Sequence, residues 1–308
     1  MIVTVTMNPA IDKTAEVDDF VVGGVNRLKN IRIDAGGKGI NVAKTLRVLN
    51  KPTMACGLIG GSMGETIREQ LKQQMIMSDF IPVKGETRCN LKVRSKFGMT
   101  EFDEPGPHVL PEELDDLFER IRYHAKSGTL FVLSGSAPAG VPEDTYKRMT
   151  EMLHQCNCRV FLDTSGILLR RGLEAAPDYI KPNLPELMAL YGVRGKFESR
   201  AAMIAWAKDK AADLLSKGPK FVAVSLGADG AVFCDGVETV HVPSKKVEVK
   251  SPVGAGDAMT AAIAYGLDSG LHFRDIIRYA MAVSAGACMT EGSQPPTKEA
   301  IVTLLRQE

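Results

Sequence analysis

The sequence lacks the features that mark nucleic-acid-binding, secreted and membrane proteins. Its 308 residues carry a net charge of only +1, with 38 basic against 37 acidic residues, so overall charge gives no reason to bind nucleic acid or an anionic membrane. No apolar run reaches the roughly 18 residues of a membrane span. The first six residues, Met-Ile-Val-Thr-Val-Thr, favour a strand over a signal peptide because no basic segment precedes an apolar one. We therefore expect a cytoplasmic protein without a nucleic-acid or membrane partner.

Patterns typical of zinc sites are also missing. The six cysteines are scattered, and Cys156 and Cys158 form a C-x-C pair without the usual zinc spacing or a second pair. The five histidines form neither H-E-x-x-H nor another close pair. We expect reduced thiols, mostly packed in the interior, and no zinc site.

Strand-like and helix-like segments alternate along most of the chain, whose 44% hydrophobic and 24% charged residues are typical of a globular protein. Predicted strands cover residues 3–7, 54–59, 130–134, 159–163, 179–181 and 221–225. Predicted helices cover residues 39–49, 64–74, 144–155, 185–191, 201–215, 257–268, 273–289 and 298–306. The alternation favours a mostly parallel sheet with helices on both faces. Ligands of such sheets bind at the carboxyl ends of the strands, so we expect the regions around Pro9, Ser134, Pro182 and Leu226 to converge.

Two segments, residues 13–33 and 87–102, interrupt this alternation and resemble antiparallel strands with no helix between them. In the second segment, alternate positions from Arg88 to Lys96 are polar or basic, which is a period of two. The segment is either a solvated edge strand, on which lysines discourage pairing, or part of a small sheet that acts as a lid.

A glycine-rich helix start lies at residues 252–259, Pro-Val-Gly-Ala-Gly-Asp-Ala-Met. The free N–H groups and the dipole of a helix N-terminus can bind an anion. Asp257 would then lie beside a phosphate and could accept a proton from a nucleophile; alternatively, it caps its helix. The motif alone does not decide between these interpretations. The helix N-terminus is expected to lower the pKa of Asp257.

A second glycine-rich segment covers residues 35–43, Ala-Gly-Gly-Lys-Gly-Ile-Asn-Val-Ala. Its glycines allow the backbone to approach a ligand closely before a helix begins, while Lys38 and Asn41 add a cation and an amide. It is not a Walker A loop, because no Ser or Thr follows the Gly-Lys pair, and the dinucleotide fingerprint G-x-G-x-x-G is absent from the chain.

Together, the two glycine-rich segments resemble the signatures of the PfkB family of ribokinase-like sugar kinases. Residues 8–12 (Asn-Pro-Ala-Ile-Asp), 181–186 (Lys-Pro-Asn-Leu-Pro-Glu) and 225–230 (Ser-Leu-Gly-Ala-Asp-Gly) also match the family in order and spacing. The resemblance covers essentially the whole chain. It implies a three-layer α/β/α sandwich with a mostly parallel central sheet, plus a small β-sheet lid.

The resemblance also implies a division of the chain and a mode of assembly. We expect an α/β kinase domain of residues 1–11, 34–86 and 104–308, and a β lid of residues 12–33 and 87–103. Related kinases often pair through the lid, and Cys89, Leu91 and Val93 offer an apolar face that needs a cover. We therefore expect a homodimer formed through the lid.

Within the family, the chain is most similar to the branch that acts on phosphorylated hexoses, which includes 1-phosphofructokinases and tagatose-6-phosphate kinases. The segments that carry this similarity are residues 8–12, 36–41, 85–88 and 134–136. The N-terminal forty residues are most similar to 1-phosphofructokinases, which implies ATP-dependent conversion of fructose 1-phosphate to fructose 1,6-bisphosphate. Tagatose 6-phosphate and fructose 6-phosphate stay open as substrates, because residues 102–106 depart from the Asn-rich segment of 1-phosphofructokinases. A non-catalytic regulator that binds sugar phosphate or nucleotide is the alternative of another class.

The resemblance assigns roles to individual positions. Asp257 is the expected catalytic base, and the expected anion hole for the transferred phosphate is formed by Gly254, Ala255 and Gly256. The expected substrate-binding residues are Asp12, Gly36, Gly37, Lys38, Asn41, Arg88, Ser134 and Arg27. Among these, Arg88 and Lys38, with help from Arg27, would bind the phosphate already on the sugar, since a guanidinium can bind phosphate through two hydrogen bonds.

The resemblance further implies Mg²⁺ with ATP as cofactors and leaves room for a monovalent cation. Glu186 and Asn183 would hold Mg²⁺ through water, because Mg²⁺ often keeps its waters. The expected nucleotide-binding residues are Lys181, Ser225, Gly227 and Gly230.

Overall fold

The structure, a computed structural model, describes residues 1–307. The strands of this region are β1 (Ile2–Thr6), β2 (Ala10–Glu16), β3 (Lys29–Gly36), β4 (Thr53–Ile59), β5 (Met77–Pro82), β6 (Arg88–Ser95), β7 (Gly98–Phe102), β8 (Leu130–Ser134), β9 (Arg159–Asp163), β10 (Tyr179–Ile180), β11 (Phe221–Ser225), β12 (Ala231–Cys234) and β13 (Thr239–Val242). Its helices are α1 (Lys38–Val48), α2 (Gly61–Gln73), α3 (Pro111–His124), α4 (Thr145–Gln155), α5 (Gly166–Leu173), α6 (Leu184–Leu190), α7 (Arg200–Leu215), α8 (Ala255–Asp268), α9 (Phe273–Cys288) and α10 (Lys298–Arg306).

The larger sheet within residues 1–307 has the strand order β13-β12-β11-β10-β9-β8-β1-β4-β5. Neighbouring strands from β11 to β5 pair in parallel, whereas β12 and β13 pair antiparallel at one edge. The central strand β1 is buried along its whole length, as an apolar strand covered on both faces should be. The mostly parallel sheet predicted from the sequence is therefore confirmed.

Helices cover both faces of this sheet. On one face, helices α3 to α7 pack apolar side chains such as Leu117, Tyr146 and Leu187 against it. On the other face, α1 and helices α8 to α10 do so with side chains such as Leu46 and Ile263. This three-layer sandwich confirms the fold class that the resemblance implied. Within residues 1–307, no helix has both the length and the apolar character needed to cross a bilayer.

The carboxyl ends of the parallel strands meet at one edge, as predicted. Thr6 at the end of β1 pairs with Ser134 of β8, which pairs with Asp163 of β9. Lys181 directly follows β10, and Ser225 ends β11. Polar side chains from strands distant in sequence are thereby placed side by side.

The second sheet has the strand order β3-β2-β6-β7. Strand β6 lies inside it, parallel to β2 and antiparallel to β7, so the interpretation of this segment as a solvated edge strand is wrong. The polar side chains Asn90 and Lys92 are only 8% and 6% exposed, whereas Cys89 and Leu91 on the other face are half-buried. The middle of the polar face of β6 is therefore buried.

Candidate active site

Helix α8 begins at the glycine-rich segment near the C-terminus of the chain. Gly254 is its N-cap and has φ 80°, a left-handed conformation that glycine adopts without strain. The N–H of Ala255 donates a long hydrogen bond of 3.3 Å to the carbonyl of Pro252. Gly256 and Asp257 follow in the first turn, where helix geometry leaves backbone donors free for an anion.

Asp257 joins the two glycine-rich segments of the chain. Its side chain is buried, and Asn41 of α1 donates a hydrogen bond from Nδ2 to Asp257 Oδ2 at 2.8 Å. Burial raises the pKa of Asp257 to about 6, and the nearby charge of Asp163 adds to this rise, although Lys38, Lys181 and the Asn41 hydrogen bond act against it. The expectation of a lowered pKa was therefore wrong, because burial and a neighbouring carboxylate outweigh the helix N-terminus.

Asp163 is a buried anion between two lysines, and it is close enough to Asp257 to raise the pKa of Asp257. Lys38 Nζ is 2.9 Å from its Oδ1, and Lys181 Nζ is 3.5 Å from its Oδ2. Thr260 of α8 donates a hydrogen bond to Oδ2 at 2.6 Å. Burial alone would raise the pKa of Asp163, but Lys181, Lys38 and Thr260 lower it to about 2. Asp163 therefore stays ionised and holds both lysines at the edge of the sheet.

Lys38 is surrounded by carboxylates. Besides Asp163, its ammonium approaches Glu186 Oε1 at 3.7 Å. Burial opposes the charged form, but Asp163, Asp257 and Glu186 together raise the pKa of Lys38. Arg88 has other neighbours, so the structure gives the two predicted phosphate-binding cations different surroundings.

Lys181, predicted to bind nucleotide, lies beside the N-terminus of α8. A Cβ placed on Gly256 would be 3.6 Å from Lys181 Nζ. The ammonium group of Lys181 is therefore next to the predicted anion hole.

Asp12 of β2 is the centre of the predicted sugar site. Its Oδ2 accepts a hydrogen bond from Ser293 Oγ at 2.9 Å and lies 3.4 Å from Lys92 Nζ, and Asn90 Nδ2 is 3.5 Å from Oδ1. A Cβ on Gly36 would come within 2.5 Å of the Asp12 carboxylate, so glycine is required there for this close approach.

Arg88 enters the same region from the first position of β6. Its guanidinium donates to the carbonyls of Asn8 at 3.1 Å and Glu104 at 3.2 Å. Burial lowers the pKa of Arg88, although Asp103, Asp12 and Glu104 favour the charged form.

Several buried polar atoms around Asp12, Arg88 and Asp257 have no hydrogen-bond partner within residues 1–307. They are Asn8 Oδ1, Asn41 Oδ1, Arg88 Nε, Asn90 Oδ1 and Ser134 Oγ. An unsatisfied buried polar atom costs about 1–3 kcal/mol, and such atoms are rare in native proteins. Their concentration beside the predicted sugar-binding residues indicates that a polar ligand completes this site.

The predicted nucleotide segment lies next to the predicted magnesium residues. Asn183 caps α6, with its side chain accepting from the N–H of Glu186 while Glu186 Oε2 accepts from the N–H of Asn183, both at 2.8 Å. An isolated bridge pairs Asn183 with Ser225 at the end of β11, and the turn that contains Gly227 and Gly230 follows.

The structure does not bring every predicted residue into contact with the others. Arg27 lies in the exposed segment between β2 and β3. Conversely, Asp163, Lys92 and Ser293 contact predicted site residues and were not assigned a role. The sequence offered a signal for Asp163, because this residue ends a predicted strand. It also offered one for Lys92, which belongs to the alternating polar positions of β6. Nothing in the sequence indicated Ser293.

Comparisons with known proteins agree with this arrangement. The profile described as pfkB family carbohydrate kinase matches residues 5–300. The 1-phosphofructokinase of Borreliella burgdorferi is 34% identical over 292 residues, which cover 94% of this chain and 92% of that protein. The 1-phosphofructokinase of Bacillus subtilis is 33% identical over 305 residues, covering 99% and 97%. The crystal structure of phosphofructokinase-2 from Escherichia coli in complex with potassium has a TM-score of 0.91 and 26% identity, covering 99% of this chain and 97% of that one.

Proposed function

The chain belongs to the pfkB family of carbohydrate kinases, and we propose that it transfers phosphate from ATP to fructose 1-phosphate, forming fructose 1,6-bisphosphate. It is a hexose-phosphate kinase, in agreement with two 1-phosphofructokinases that match nearly its whole length. The choice of fructose 1-phosphate rests on those relatives. Tagatose 6-phosphate and fructose 6-phosphate are the competing substrates.

One observation carries the catalytic proposal: the buried Asp257 carboxylate lies at a glycine-rich helix start and in contact with Asn41. A carboxylate with a pKa of about 6 is ionised at neutral pH yet more basic than an ordinary aspartate. We assign to Asp257 the removal of the proton from the attacking sugar hydroxyl. A protein that only binds sugar phosphate would not need a buried base at this point.

The cations around Asp257 suit phosphoryl transfer, which relies mainly on positioning and charge stabilisation. The N–H groups of Gly254, Ala255 and Gly256 would donate to the transferred phosphate, and Lys181 lies beside Gly256. Lys38, held by Asp163, adds positive charge between Asp257 and Glu186. Its neighbours favour a role at the transferred phosphate over the role at the sugar's own phosphate that the resemblance implied.

The residues present fit Mg²⁺ that arrives with ATP and keeps its waters. Within residues 1–307, no cluster of three or more His, Cys, Asp or Glu side chains is arranged to hold a metal, but Mg²⁺ at nucleotide sites needs only one or two carboxylates. Glu186 engages Oε2 in the cap of α6, so Oε1, which lies 3.7 Å from Lys38 Nζ, is the oxygen that would hold the ion. Asn183 would keep Glu186 in place, and bound Mg²⁺ would neutralise phosphate charge.

Because the Escherichia coli structure is a complex with potassium, we propose that this chain also requires a monovalent cation. Rates measured in potassium chloride should exceed those in tetramethylammonium chloride. Equal rates in the two salts would remove this requirement.

A substrate panel tests the proposed function directly. ADP release is measured with fructose 1-phosphate, fructose 6-phosphate, tagatose 6-phosphate and fructose. We expect the highest kcat/KM with fructose 1-phosphate. A higher value with another hexose phosphate would change the assigned substrate, and no release with any of them would contradict catalysis itself.

The pH dependence of kcat should report the raised pKa of Asp257. Because the base acts only when ionised, kcat should fall as the pH drops through about 6 and should level off above it. Measuring kcat at saturating substrate from about pH 5 to about pH 8 reports the enzyme–substrate complex. A kcat that stays constant down to about pH 5 would contradict the assignment, because an ordinary aspartate has a pKa of about 3.9.

We further propose that residues 12–33 and 87–103 form a lid through which two chains pair. The second sheet and its loops expose many large apolar side chains: Val21, Val22, Val25, Ile31, Ile33, Phe97 and Phe102. A patch of this kind is typical of an interface. The face of Cys89, Leu91 and Val93 contributes less than expected, because Val93 is already buried.

Light scattering at micromolar concentration should give twice the 33.3 kDa mass of the chain. Val22→Glu should weaken the dimer, because it places a charge in the apolar patch. Val237→Glu is the matched control, since Val237 is equally exposed but lies between β12 and β13. A monomeric wild-type protein would contradict the proposal.

A further inference from the structure

The polar face of β6 contains residues to which the proposed function assigns no role. Arg88 reaches Asn8 at one end, and Arg94 donates to the carbonyl of Lys250 at 3.2 Å at the other. Between them lie Asn90 and Lys92, which are more buried than either arginine. Neither of these two residues has a role in the mechanism so far.

Lys92 is an unusual residue for the interior of a small sheet. Within residues 1–307 its one ion pair is with Asp12 Oδ2, at 3.4 Å, and the same oxygen already accepts from Ser293. An ammonium group has three donors, and burying it without full pairing is costly. The structure thus leaves Lys92 with hydrogen-bonding capacity beside the proposed sugar site.

The charge of the substrate suggests a role for Lys92. Asp12 suits sugar hydroxyls, because a carboxylate accepts their hydrogen bonds. Its negative charge, however, repels a phosphorylated sugar, and this repulsion is strong where water is excluded. A cation that faces Asp12 removes the repulsion and leaves the carboxylate able to accept hydrogen bonds.

We propose that Lys92 is a specificity-determining residue of the sugar site, which compensates the charge of Asp12 and donates a hydrogen bond to the bound ketose phosphate. This proposal rests on the proposed function. It predicts that Lys92 favours anionic ketose phosphates over free ketoses. Arg88 binds the sugar's phosphate itself, whereas Lys92 acts where Asp12 holds the sugar.

Lys92→Met tests the proposal, since methionine keeps the length and loses the charge. Lys96→Met is the matched control: Lys96 follows β6 two positions after Arg94, its side chain is 60% exposed, and it pairs with Asp19. Calorimetric titration with fructose 1-phosphate in the absence of ATP gives Kd, and steady-state kinetics give KM and kcat. For Lys92→Met we expect Kd and KM to rise about tenfold or more, with the KM for ATP unchanged and kcat affected less.

Two further measurements separate this role from a structural one. Lys92→Arg should restore part of the affinity, because it restores the charge. The preference for fructose 1-phosphate over fructose should shrink in Lys92→Met. Should this variant fail to fold by circular dichroism, Lys92→Gln takes its place, with the same expected loss of affinity.

The outcomes distinguish this proposal from the proposed function. If wild-type protein phosphorylates no hexose phosphate, the proposed function fails. If the wild type is active and the uncharged Lys92 variant matches Lys96→Met in Kd, KM and sugar preference, the role of Lys92 is refuted and the kinase assignment stands.

Discussion

Asp257→Asn is expected to lower kcat by about 10²–10⁴-fold, the usual contribution of a positioned general base. The amide has nearly the same shape as the carboxylate but cannot accept the proton of the sugar hydroxyl. The fold should persist, because burial already disfavours the charged form of Asp257. Steady-state ADP release gives kcat, and fluorescence titration with a nucleotide analogue checks that ATP still binds.

Asp275→Asn is the matched control for this variant. Asp275 also lies in the first turn of a helix, α9, but its side chain is 45% exposed and pairs with Arg278. Its replacement should leave kcat within about twofold, since exposed ion pairs contribute little. If folded Asp257→Asn keeps a kcat close to that of the wild type, Asp257 is not the catalytic base.

Arg88→Ala should lower kcat/KM for the sugar phosphate by roughly 10–150-fold. A hydrogen bond to a charged group is worth about 1.5–3 kcal/mol, and each factor of ten corresponds to about 1.4 kcal/mol. Arg88 is partly buried, and its Nε has no partner within residues 1–307, so a phosphate can use this donor. The KM for ATP should hardly change, because ATP is assigned to the segments around Ser225 and Gly254.

Two variants control for the loss of the Arg88 side chain. Arg88→Lys keeps the charge but loses the two-pronged geometry of the guanidinium, so its effect should be intermediate. Arg47→Ala removes a partly buried arginine at the other end of α1 and should leave the kinetics unchanged. An effect of Arg88→Ala on the KM for ATP alone would mean that Arg88 does not bind the sugar's phosphate.

The sequence predicted the secondary structure well where local pattern controls it. The strand predicted over residues 159–163 is β9, and the helix predicted over residues 298–306 is α10. Elsewhere, helix starts differ by one to three residues, as for α2, because caps depend on backbone geometry. Parallel strands and their helices follow from hydrophobic spacing, so the three-layer fold was predictable.

The site was predictable in its parts and not in its connections. The two glycine-rich segments and Asp257 could be identified in the sequence, since close approach to an anion requires glycine and a helix start. The contact between Asn41 and Asp257, however, joins residues 216 positions apart. No local pattern specifies which of the many polar side chains meet across that distance.

The pKa of Asp257 and the ion pair of Lys92 depend most on the three-dimensional arrangement. Hydrophobic spacing predicted the α/β fold, and the resemblance of the motifs to the PfkB family predicted a kinase with an aspartate at a helix N-terminus. They could not establish that this aspartate is buried near the charge of Asp163, which reverses the expected direction of its pKa shift, nor that Lys92 pairs with Asp12 in the interior. Burial and the distance between charges control both effects, and both are properties of the folded chain because desolvation and Coulomb interactions act through space and not along the sequence.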